Sequence, residues 1–271
     1  MSLRKKIRKH AIPWFLAIYA LVSFAGWAAW GAGFLYGVLF AALGLIGASV
    51  TRLMIGVHDL TQAQKRDYRQ LEALTTLTPL LDLASPLPPM RQWASSPDYL
   101  AILAREILSR KPQMVVELGS GVSSVVVGAC LRRNGHGRLV SIEQDSVHAG
   151  ATRERIALEH LDGIVKVIHA PLAAYGEGEA LRWYDTAPID DLCGVDMVII
   201  DGPSVTGQKA YLRYPALPFF AERRGERIAF ILDDAGRPDE QRSVERWRRE
   251  YPDLRGAFLE TEKGAWIGTL D

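Results

Sequence analysis

The chain has 271 residues, of which 32 are basic and 31 acidic, so its formal net charge is +1. This balance argues against a nucleic-acid-binding protein, which would carry a strong basic excess. Two cysteines are too few for a disulfide framework, and the length suits one large domain or one domain with an appendage.

The N-terminal region is apolar. After a basic tail at residues 1–10, Arg52 is the only charged side chain up to Ile55. Because a helix crosses the hydrocarbon core with about 20 apolar residues, this run predicts a transmembrane helical hairpin with passes at 12–30 and 33–51. A single tilted helix and a hairpin that returns to the same face are the alternatives. The run is too long for the core of a signal peptide.

Basic side chains flank both ends of this run. They precede the first pass and follow the second, at Arg4, Lys5, Lys6, Arg8, Lys9, Arg52, Lys65, Arg66 and Arg69. Since Lys and Arg accumulate on the cytoplasmic side of membrane segments, both ends are predicted to be cytoplasmic. The predicted location is the inner (cytoplasmic) membrane, with the C-terminal domain facing the cytoplasm.

A linker follows the apolar region. Residues 58–75 are polar with sparse apolar positions and predict a helix that leaves the membrane surface. Five prolines at 79–97 break a continuous helix and indicate the linker itself. A new helix then starts with Ser96 as N-cap and Pro97 in the first position. The predicted parts are 1–57 (tail and two transmembrane helices), 58–96 (juxtamembrane helix and Pro-rich linker) and 97–271 (soluble domain).

From Met114 onward, apolar strands alternate with amphipathic helices. Strands are predicted at 114–118, 138–143, 164–170, 195–201, 227–234, 256–262 and 265–270, and helices at 122–133, 151–161, 209–224 and 239–251. Continuous Val/Ile runs predict strands covered on both faces, as in a parallel sheet with helical crossovers. The last two strands are joined by two residues, too few for a crossover, and must be antiparallel. The predicted fold class is α/β, a Rossmann-like doubly wound sheet with an antiparallel C-terminal strand pair, preceded by the hairpin.

Ligands of such sheets bind at the carboxyl ends of the strands. The sequence ELGSG at 117–121 follows the first strand, and its glycines allow a sharp turn and close approach to a ligand. Ser124 stands where a dinucleotide fingerprint has a third Gly or Ala, which weakens a hydride-transfer reading. The Glu117 carboxylate suits a methionine amino group better than a pyrophosphate. Glu143, after the second strand, can accept both ribose hydroxyls, and its alternative role is a solvated strand-end acid.

The motifs VVELGSG, SIEQD, VIIDGP and FILDDAGRPDE, in this order and spacing, resemble the class I S-adenosylmethionine-dependent methyltransferases. From Met90 to Asp271 the chain is also similar to a bacterial group fused to membrane or glycosyltransferase segments. The resemblance implies S-adenosylmethionine as cofactor, with Ala170 beside the adenine, where many relatives carry an acid. The cofactor-binding residues that it implies are Glu117, Gly119, Ser120, Gly121, Glu143, Gln144, Ala170 and Asp201.

Three acids follow the fourth and fifth strands and are predicted to meet in one cleft. A hydroxyl acceptor must be positioned and lose its proton, so Asp201, Asp233 and the near-neutral His169 are the candidate catalytic residues. Converging carboxylates repel one another unless a cation neutralises them, which predicts a Mg²⁺ site at Asp201, Asp233 and Asp234. This arrangement resembles the metal-dependent O-methyltransferases. The alternatives are helix capping, pairing of the two later acids with Arg213 or Arg237, and a packing role for the histidine.

The predicted function is a membrane-anchored methyltransferase that methylates oxygen on a glycan or lipid-linked acceptor at the cytoplasmic face. Its predicted partners are the bilayer and polysaccharide-assembly proteins, without nucleic acid. Trp183, Tyr184, Arg213 and Tyr214 either line an acceptor pocket or cover the sheet. There are two rival hypotheses. One is a nucleotide-dependent oxidoreductase, against which counts the absence of a Tyr-Lys pair at catalytic spacing in the sequence. The other is a non-catalytic cofactor-binding module of a glycan-assembly complex.

Overall fold

A computed structural model describes residues 17–22, 24–26, 28, 34–91, 93–176, 181–204 and 211–271. The chain divides into two compact units, Met1–Tyr68 and Arg69–Asp271. The helices are α1 Phe34–Leu81, α2 Pro97–Arg110, α3 Val122–Asn134, α4 Ser146–Leu158, α5 Ala216–Ala221 and α6 Pro238–Glu250. The strands are β1 Met114–Leu118, β2 Arg138–Glu143, β3 Val165–His169, β4 Leu172–Ala174, β5 Arg182–Tyr184, β6 Val195–Ile200, β7 Arg224–Leu232, β8 Arg255–Leu259 and β9 Ala265–Leu270.

The first unit contains two helical segments in contact. A Cβ atom on Gly44 would lie 3.3 Å from the Tyr19 ring, and one on Gly26 would lie 3.7 Å from the Phe40 ring. The residue with the lower number in the first segment contacts the residue with the higher number in the second, so the two segments run antiparallel. Within the described residues, Leu39–Leu81 is long and apolar enough to cross a membrane, by length and composition alone. The basic tail and residues 12–16, 23, 27, 29 and 30 of the first predicted pass lie outside the described residues.

Helix α1 is longer than the sequence predicts. The second predicted pass and the helix predicted at 58–75 form one continuous helix of 48 residues. Threonine hydroxyls along it donate back to the preceding turn, as Thr51 does to the Gly47 carbonyl at 2.9 Å and Thr61 to the Val57 carbonyl at 2.8 Å. These side chains therefore satisfy their own polar groups without interrupting the helix. Pro79 lies in the last turn, and the helix ends two residues later.

The second unit is built on a seven-stranded sheet with the order β3-β2-β1-β6-β7-β9-β8. Neighbouring strands from β3 to β7 are parallel, and β9 is antiparallel to both β7 and β8. The predicted doubly wound sheet with an antiparallel C-terminal pair is confirmed. A buried apolar cluster covers each face of the sheet. In register, Leu118, Ile200 and Leu232 are neighbours, so the residues that follow them emerge at one edge.

Several element boundaries differ from prediction. Helix α4 begins at Ser146, five residues early, because the Asp145 side chain accepts hydrogen bonds from the amides of Val147 and His148 as an N-cap. Of the helix predicted at 209–224, only α5 forms among the described residues, which here begin at Tyr211. Five residues, not two, separate β8 from β9.

An antiparallel hairpin of β4 and β5 was not predicted. It lies in the chain between β3 and β6, with three residues in each strand. Trp183 and Tyr184 on β5 are buried, and the Trp183 ring packs edge-on against Phe219 of α5 with ring centroids 5.1 Å apart. The hairpin therefore brings an aromatic pair to one face of the sheet.

Candidate active site

One pocket lies at the carboxyl edge of the sheet, where the strand-end residues converge. Its described lining residues are Trp93, Gly119, Ser120, Glu143, Gln144, His148, Tyr184, Asp201, Gly202, Pro203, Ser204, Arg213, Asp234 and Arg237. The turn after β1 requires glycine, because Gly119 has φ +93° and a Cβ there would lie 3.1 Å from the Gly202 amide nitrogen. The chain therefore exposes backbone, not side chain, where β1 and β6 end side by side.

Glu143 is a fixed acceptor in this pocket. Its Oε2 accepts hydrogen bonds from the Ser120 amide at 2.9 Å and the Ser120 hydroxyl at 3.2 Å, and its Oε1 accepts one from the Asp145 amide at 3.0 Å. Only 6% of the residue is exposed, so the alternative of a solvated acid does not apply. The remaining lone pairs of its carboxylate are placed to accept two vicinal hydroxyls, as in a ribose.

Glu117 lies beneath the turn and is completely buried. Its Oε2 accepts hydrogen bonds from the hydroxyls of Ser124 at 2.5 Å and Ser141 at 2.6 Å, while its Oε1 has no partner among the described residues. Burial raises the pKa of Glu117 to about 7, although the serine hydroxyls oppose that shift. The Ser124 hydroxyl also accepts the Gly121 amide at 3.1 Å, so this serine ties the acid to the glycine turn.

Asp201, directly after β6, is the acid that lines the pocket most openly, with 18% of its side chain exposed. Its Oδ2 accepts a hydrogen bond from the Ser95 hydroxyl at 3.2 Å, and its Oδ1 lies 3.4 Å from Arg213 Nη2. Burial raises the pKa of Asp201 above its ordinary value, while the Arg213 charge opposes the shift. A carboxylate with a raised pKa is a better proton acceptor than a solvated one.

The two acids after β7 differ from each other. Asp233 is completely buried and does not line the pocket; its Oδ1 accepts the Asp234 amide at 2.8 Å, and its Oδ2 has no partner among the described residues. Burial, followed by the charges of Asp201 and Asp234, raises the pKa of Asp233 to about 8. Asp234 does line the pocket, and its two oxygens each lie 3.0 Å from an arginine, Arg213 and Arg237.

A buried arginine supplies the positive charge among these acids. Only 4% of the Arg213 side chain is exposed, and it donates to the Asp233 carbonyl at 2.9 Å and to the Asp201 carbonyl at 2.5 Å. The same guanidinium pairs with Asp234 and lies 3.6 Å from Glu240 of α6. One residue therefore joins the ends of β6 and β7 to the start of α6.

The predicted metal site does not fit this geometry. In the part of the chain that the structure describes, no group of three His, Cys, Asp or Glu side chains is arranged to hold a metal ion. Arg213 already lies between Asp201 and Asp234, and Asp233 does not line the pocket. The predicted alternative, pairing with Arg213 and Arg237, describes Asp234.

The remaining predicted residues are distributed around the pocket. Gln144 lines it and makes two hydrogen bonds to Ser204: its Nε2 donates to the Ser204 carbonyl at 2.7 Å, and its Oε1 accepts the Ser204 amide at 3.2 Å. His169 is exposed, does not line the pocket, and lies 3.2 Å from the Gln144 carbonyl through Nε2. Ala170 is buried, and its amide donates to the Glu143 carbonyl at 2.8 Å. The pocket thus gathers glycine, carboxylate and amide groups, and His169 is not among its described lining residues.

Residues 116–222 match a family model described as a methyltransferase domain. This match covers 107 of the 271 residues and agrees with the methyltransferase class that the sequence motifs predict. A search of curated protein sequences finds no match.

Solved structures share the fold of the methyltransferase domain. An O-methyltransferase from Bacillus cereus in complex with SAH (S-adenosylhomocysteine) has a TM-score of 0.51 and 16% identity, covering 75% of this chain and 91% of that one. The SAH-bound methyltransferase PaMTH1 from Podospora anserina has a TM-score of 0.50 and 14% identity, with coverages of 79% and 94%. The N-terminal domain of human METTL16 in complex with SAH has a TM-score of 0.50 and 12% identity, with coverages of 76% and 82%. These similarities show the fold.

The residues of the methyltransferase domain fit the predicted cofactor, S-adenosylmethionine. Glu143 offers acceptor positions for ribose hydroxyls, Gly119 leaves room for close approach, and Glu117 Oε1 is an unpaired buried acceptor near the same turn. Nothing in the sequence indicates Ser95, and Arg237 is predicted only as a possible partner of the acids after β7. Neither residue directly follows a strand, so the positions of the strand ends do not mark them.

Proposed function

We propose that the chain is a membrane-anchored, S-adenosylmethionine-dependent O-methyltransferase. Its acceptor would be a hydroxyl of a glycan or lipid-linked precursor at the cytoplasmic face of the inner membrane. The observation that carries the proposal is Asp201, a carboxylate of raised pKa in the same pocket as Gly119 and Glu143. A proton acceptor beside a cofactor cradle is what methylation of a hydroxyl requires.

The cofactor supplies an activated methyl carbon when bound. Asp201 would take the proton of the acceptor hydroxyl as its oxygen accepts the methyl group. The Ser95 hydroxyl and the Arg213 guanidinium hold the Asp201 carboxylate in one orientation. Trp93 lines the pocket with 88% of its surface exposed, so an acceptor that enters the pocket would contact it.

Transfer to oxygen is supported by chemistry and by one related structure. The described lining residues offer a carboxylate base, Asp201, which suits a hydroxyl acceptor. The Bacillus cereus protein with the same fold is described as an O-methyltransferase. The rival oxidoreductase hypothesis loses support, because residues 116–222 match a methyltransferase domain and Ser124 replaces the third glycine with a hydroxyl that binds Glu117.

The membrane location is supported by the surface of α1. Apolar side chains along this helix are exposed, among them Leu39, Leu45, Leu53 and Met54, at 57–71% of their surface. A mean hydropathy of 1.8 over an 18-residue window of this helix matches that of a membrane span. A catalytic domain held at a bilayer favours an acceptor that is itself held there, and basic flanks favour the cytoplasmic side.

The proposal is tested first by cofactor binding. Full-length protein in detergent micelles is titrated calorimetrically with SAH and, separately, with NADH, and we expect micromolar binding of SAH alone. Membranes and soluble extract are then each incubated with the protein and methyl-labelled S-adenosylmethionine. Label in the lipid-linked glycan fraction is the expected result. NADH binding without SAH binding would refute a methyltransferase, and equal labelling of soluble acceptors would refute a membrane-bound acceptor.

A further inference from the structure

Tyr184 presents a buried hydroxyl to the cofactor pocket. It lies on β5 of the hairpin that was not predicted, and only 2% of the residue is exposed. The hydroxyl oxygen has no hydrogen-bond partner among the described residues. A buried hydroxyl without a partner is costly, so such a group in a binding pocket indicates a ligand that completes its hydrogen bonding.

The surroundings of the hydroxyl locate it at the junction of two turns. A Cβ atom on Gly202 would overlap Tyr184 Oη and would lie 3.2 Å from the Gly119 Cα atom. The hydroxyl therefore lies over the point where the turns after β1 and β6 meet. In the class that the sequence resembles, Gly119 lies at the methionine end of the cofactor.

The hydroxyl acts as a donor at neutral pH. Burial raises the pKa of Tyr184 well above its ordinary value, and the charges of Glu143, Asp201 and Glu117 raise it further against the opposing Arg213. The described acids that line the pocket, Glu143, Asp201 and Asp234, are acceptors when ionised. They suit the amino group and the ribose hydroxyls of the cofactor, so its carboxylate needs a donor of another kind.

The cofactor carboxylate needs donors that are not already committed. Arg213 is buried and committed to Asp201 and Asp234, whereas Arg237 pairs with Asp234 and keeps 52% of its side chain exposed. Ser120 donates to Glu143 through both its amide and its hydroxyl. Among the described residues that line the pocket, Tyr184 is the buried side chain whose donor has no partner.

We propose that the Tyr184 hydroxyl donates a hydrogen bond to the carboxylate at the methionine end of the bound cofactor. The β4–β5 hairpin is then a cofactor-binding element, and its aromatic packing holds this hydroxyl in place. The inference rests on the proposed methyltransferase function. It assigns to Tyr184 a binding role, separate from proton removal by Asp201.

The test compares Tyr184→Phe with wild type in full-length protein in detergent. SAH and 5′-methylthioadenosine, which lacks the amino-acid part, are titrated calorimetrically. We expect SAH to bind about tenfold more weakly to the variant, equivalent to about 1.4 kcal/mol, with affinity for methylthioadenosine unchanged. Without ligand, the melting temperature of the variant should equal or exceed that of wild type, since an unpaired buried hydroxyl has been removed.

Tyr175→Phe is the matched control, because it removes a tyrosine hydroxyl from the same hairpin outside the described lining of the pocket. It should leave both affinities unchanged. Unchanged SAH binding by Tyr184→Phe would overturn the contact, and equal weakening for both ligands would overturn its assignment to the carboxylate. Failure of the wild type to bind SAH would instead contradict the proposed function, so the two failures are distinguishable.

Discussion

Replacing Arg213 by Ala tests whether a guanidinium, and not a metal ion, neutralises the acids of the site. The substitution leaves Asp201 and Asp234 without their shared buried partner and frees two backbone carbonyls. Breaking a buried ion pair by removing one partner costs about 3–5 kcal/mol. Because Arg213 is almost completely buried, screening by solvent does not reduce that figure substantially.

The destabilisation should depend on pH. The pKa of Asp201 is already raised by burial, and removing the Arg213 charge that opposes this shift raises it further, so its ionised form opposes folding more strongly. A raised carboxyl pKa lowers stability progressively as pH increases from the unfolded pKa, about 4, to the folded one. The loss caused by the substitution should therefore be largest at pH 8 and should shrink towards pH 5. Chemical unfolding followed by tryptophan fluorescence at several pH values measures it.

Divalent cations provide the second readout. With the guanidinium removed, Mg²⁺ or Mn²⁺ can neutralise the acids, so millimolar Mn²⁺ should raise the melting temperature of Arg213→Ala and leave wild type unchanged. Arg213→Lys is the matched control, since it keeps the charge and loses the planar donor pattern, and it should show a smaller loss with no response to metal. Stabilisation of wild type by Mn²⁺ to the same extent as the variant would refute the reasoning and restore a native metal site.

Three further predictions concern catalysis, the turn and a buried acid. Asp201→Asn should lower turnover with membrane acceptors by about 10²–10⁴-fold, which is the usual contribution of a general base. Calorimetry should show little change in its affinity for SAH. Unchanged turnover would exclude Asp201 as the base. Gly119→Ala should weaken SAH binding by more than about tenfold, a drop of over 1.4 kcal/mol, because φ is +93° and Gly202 N would lie 3.1 Å from the new Cβ. Gly150→Ala is the control, since a Cβ there has nothing within 4 Å and the residue is outside the described pocket lining, and it should bind SAH nearly normally. Burial raises the pKa of Glu117 from 4.5 to about 7. The wild type should therefore lose about 3 kcal/mol of stability through this group as the pH rises between those two values. Glu117→Gln should flatten that part of the stability–pH curve, and an unaltered curve would show that burial does not shift the pKa of this acid.

The sheet was predictable because its strands are covered on both faces and therefore read as continuous apolar runs. The same logic located Glu143 and Asp201, since the edge of a parallel sheet collects the residues that follow its strands. The hairpin of β4 and β5 was not predicted, because a strand of three residues is too short to show the alternation of apolar and polar residues that indicates a strand. Trp183 and Tyr184 were noted as possible covers of the sheet, and Trp183 is one.

The charge balance of the site was only partly predictable. Convergence of Asp201 and Asp234 follows from topology, and the need for a cation follows from their repulsion. Which cation provides it depends on the path of the chain between β6 and β7, where Arg213 lies in a turn instead of the predicted helix. Sequence also cannot show that Asp233 is buried outside the pocket lining, because neighbouring residues in such a turn do not follow strand alternation.

The paired hydrogen bonds between Gln144 and Ser204 have a mechanical consequence for the two substrates. Their pattern copies one rung of a β-ladder, with a side chain standing in for a strand backbone. The end of β2, which carries Glu143, and the turn after β6, which carries the proposed base Asp201, are thereby linked across a gap that the sheet itself does not reach. Closing either side around its ligand would restrict the other, so we expect cofactor and acceptor to strengthen each other's binding by the same factor, as thermodynamic reciprocity demands.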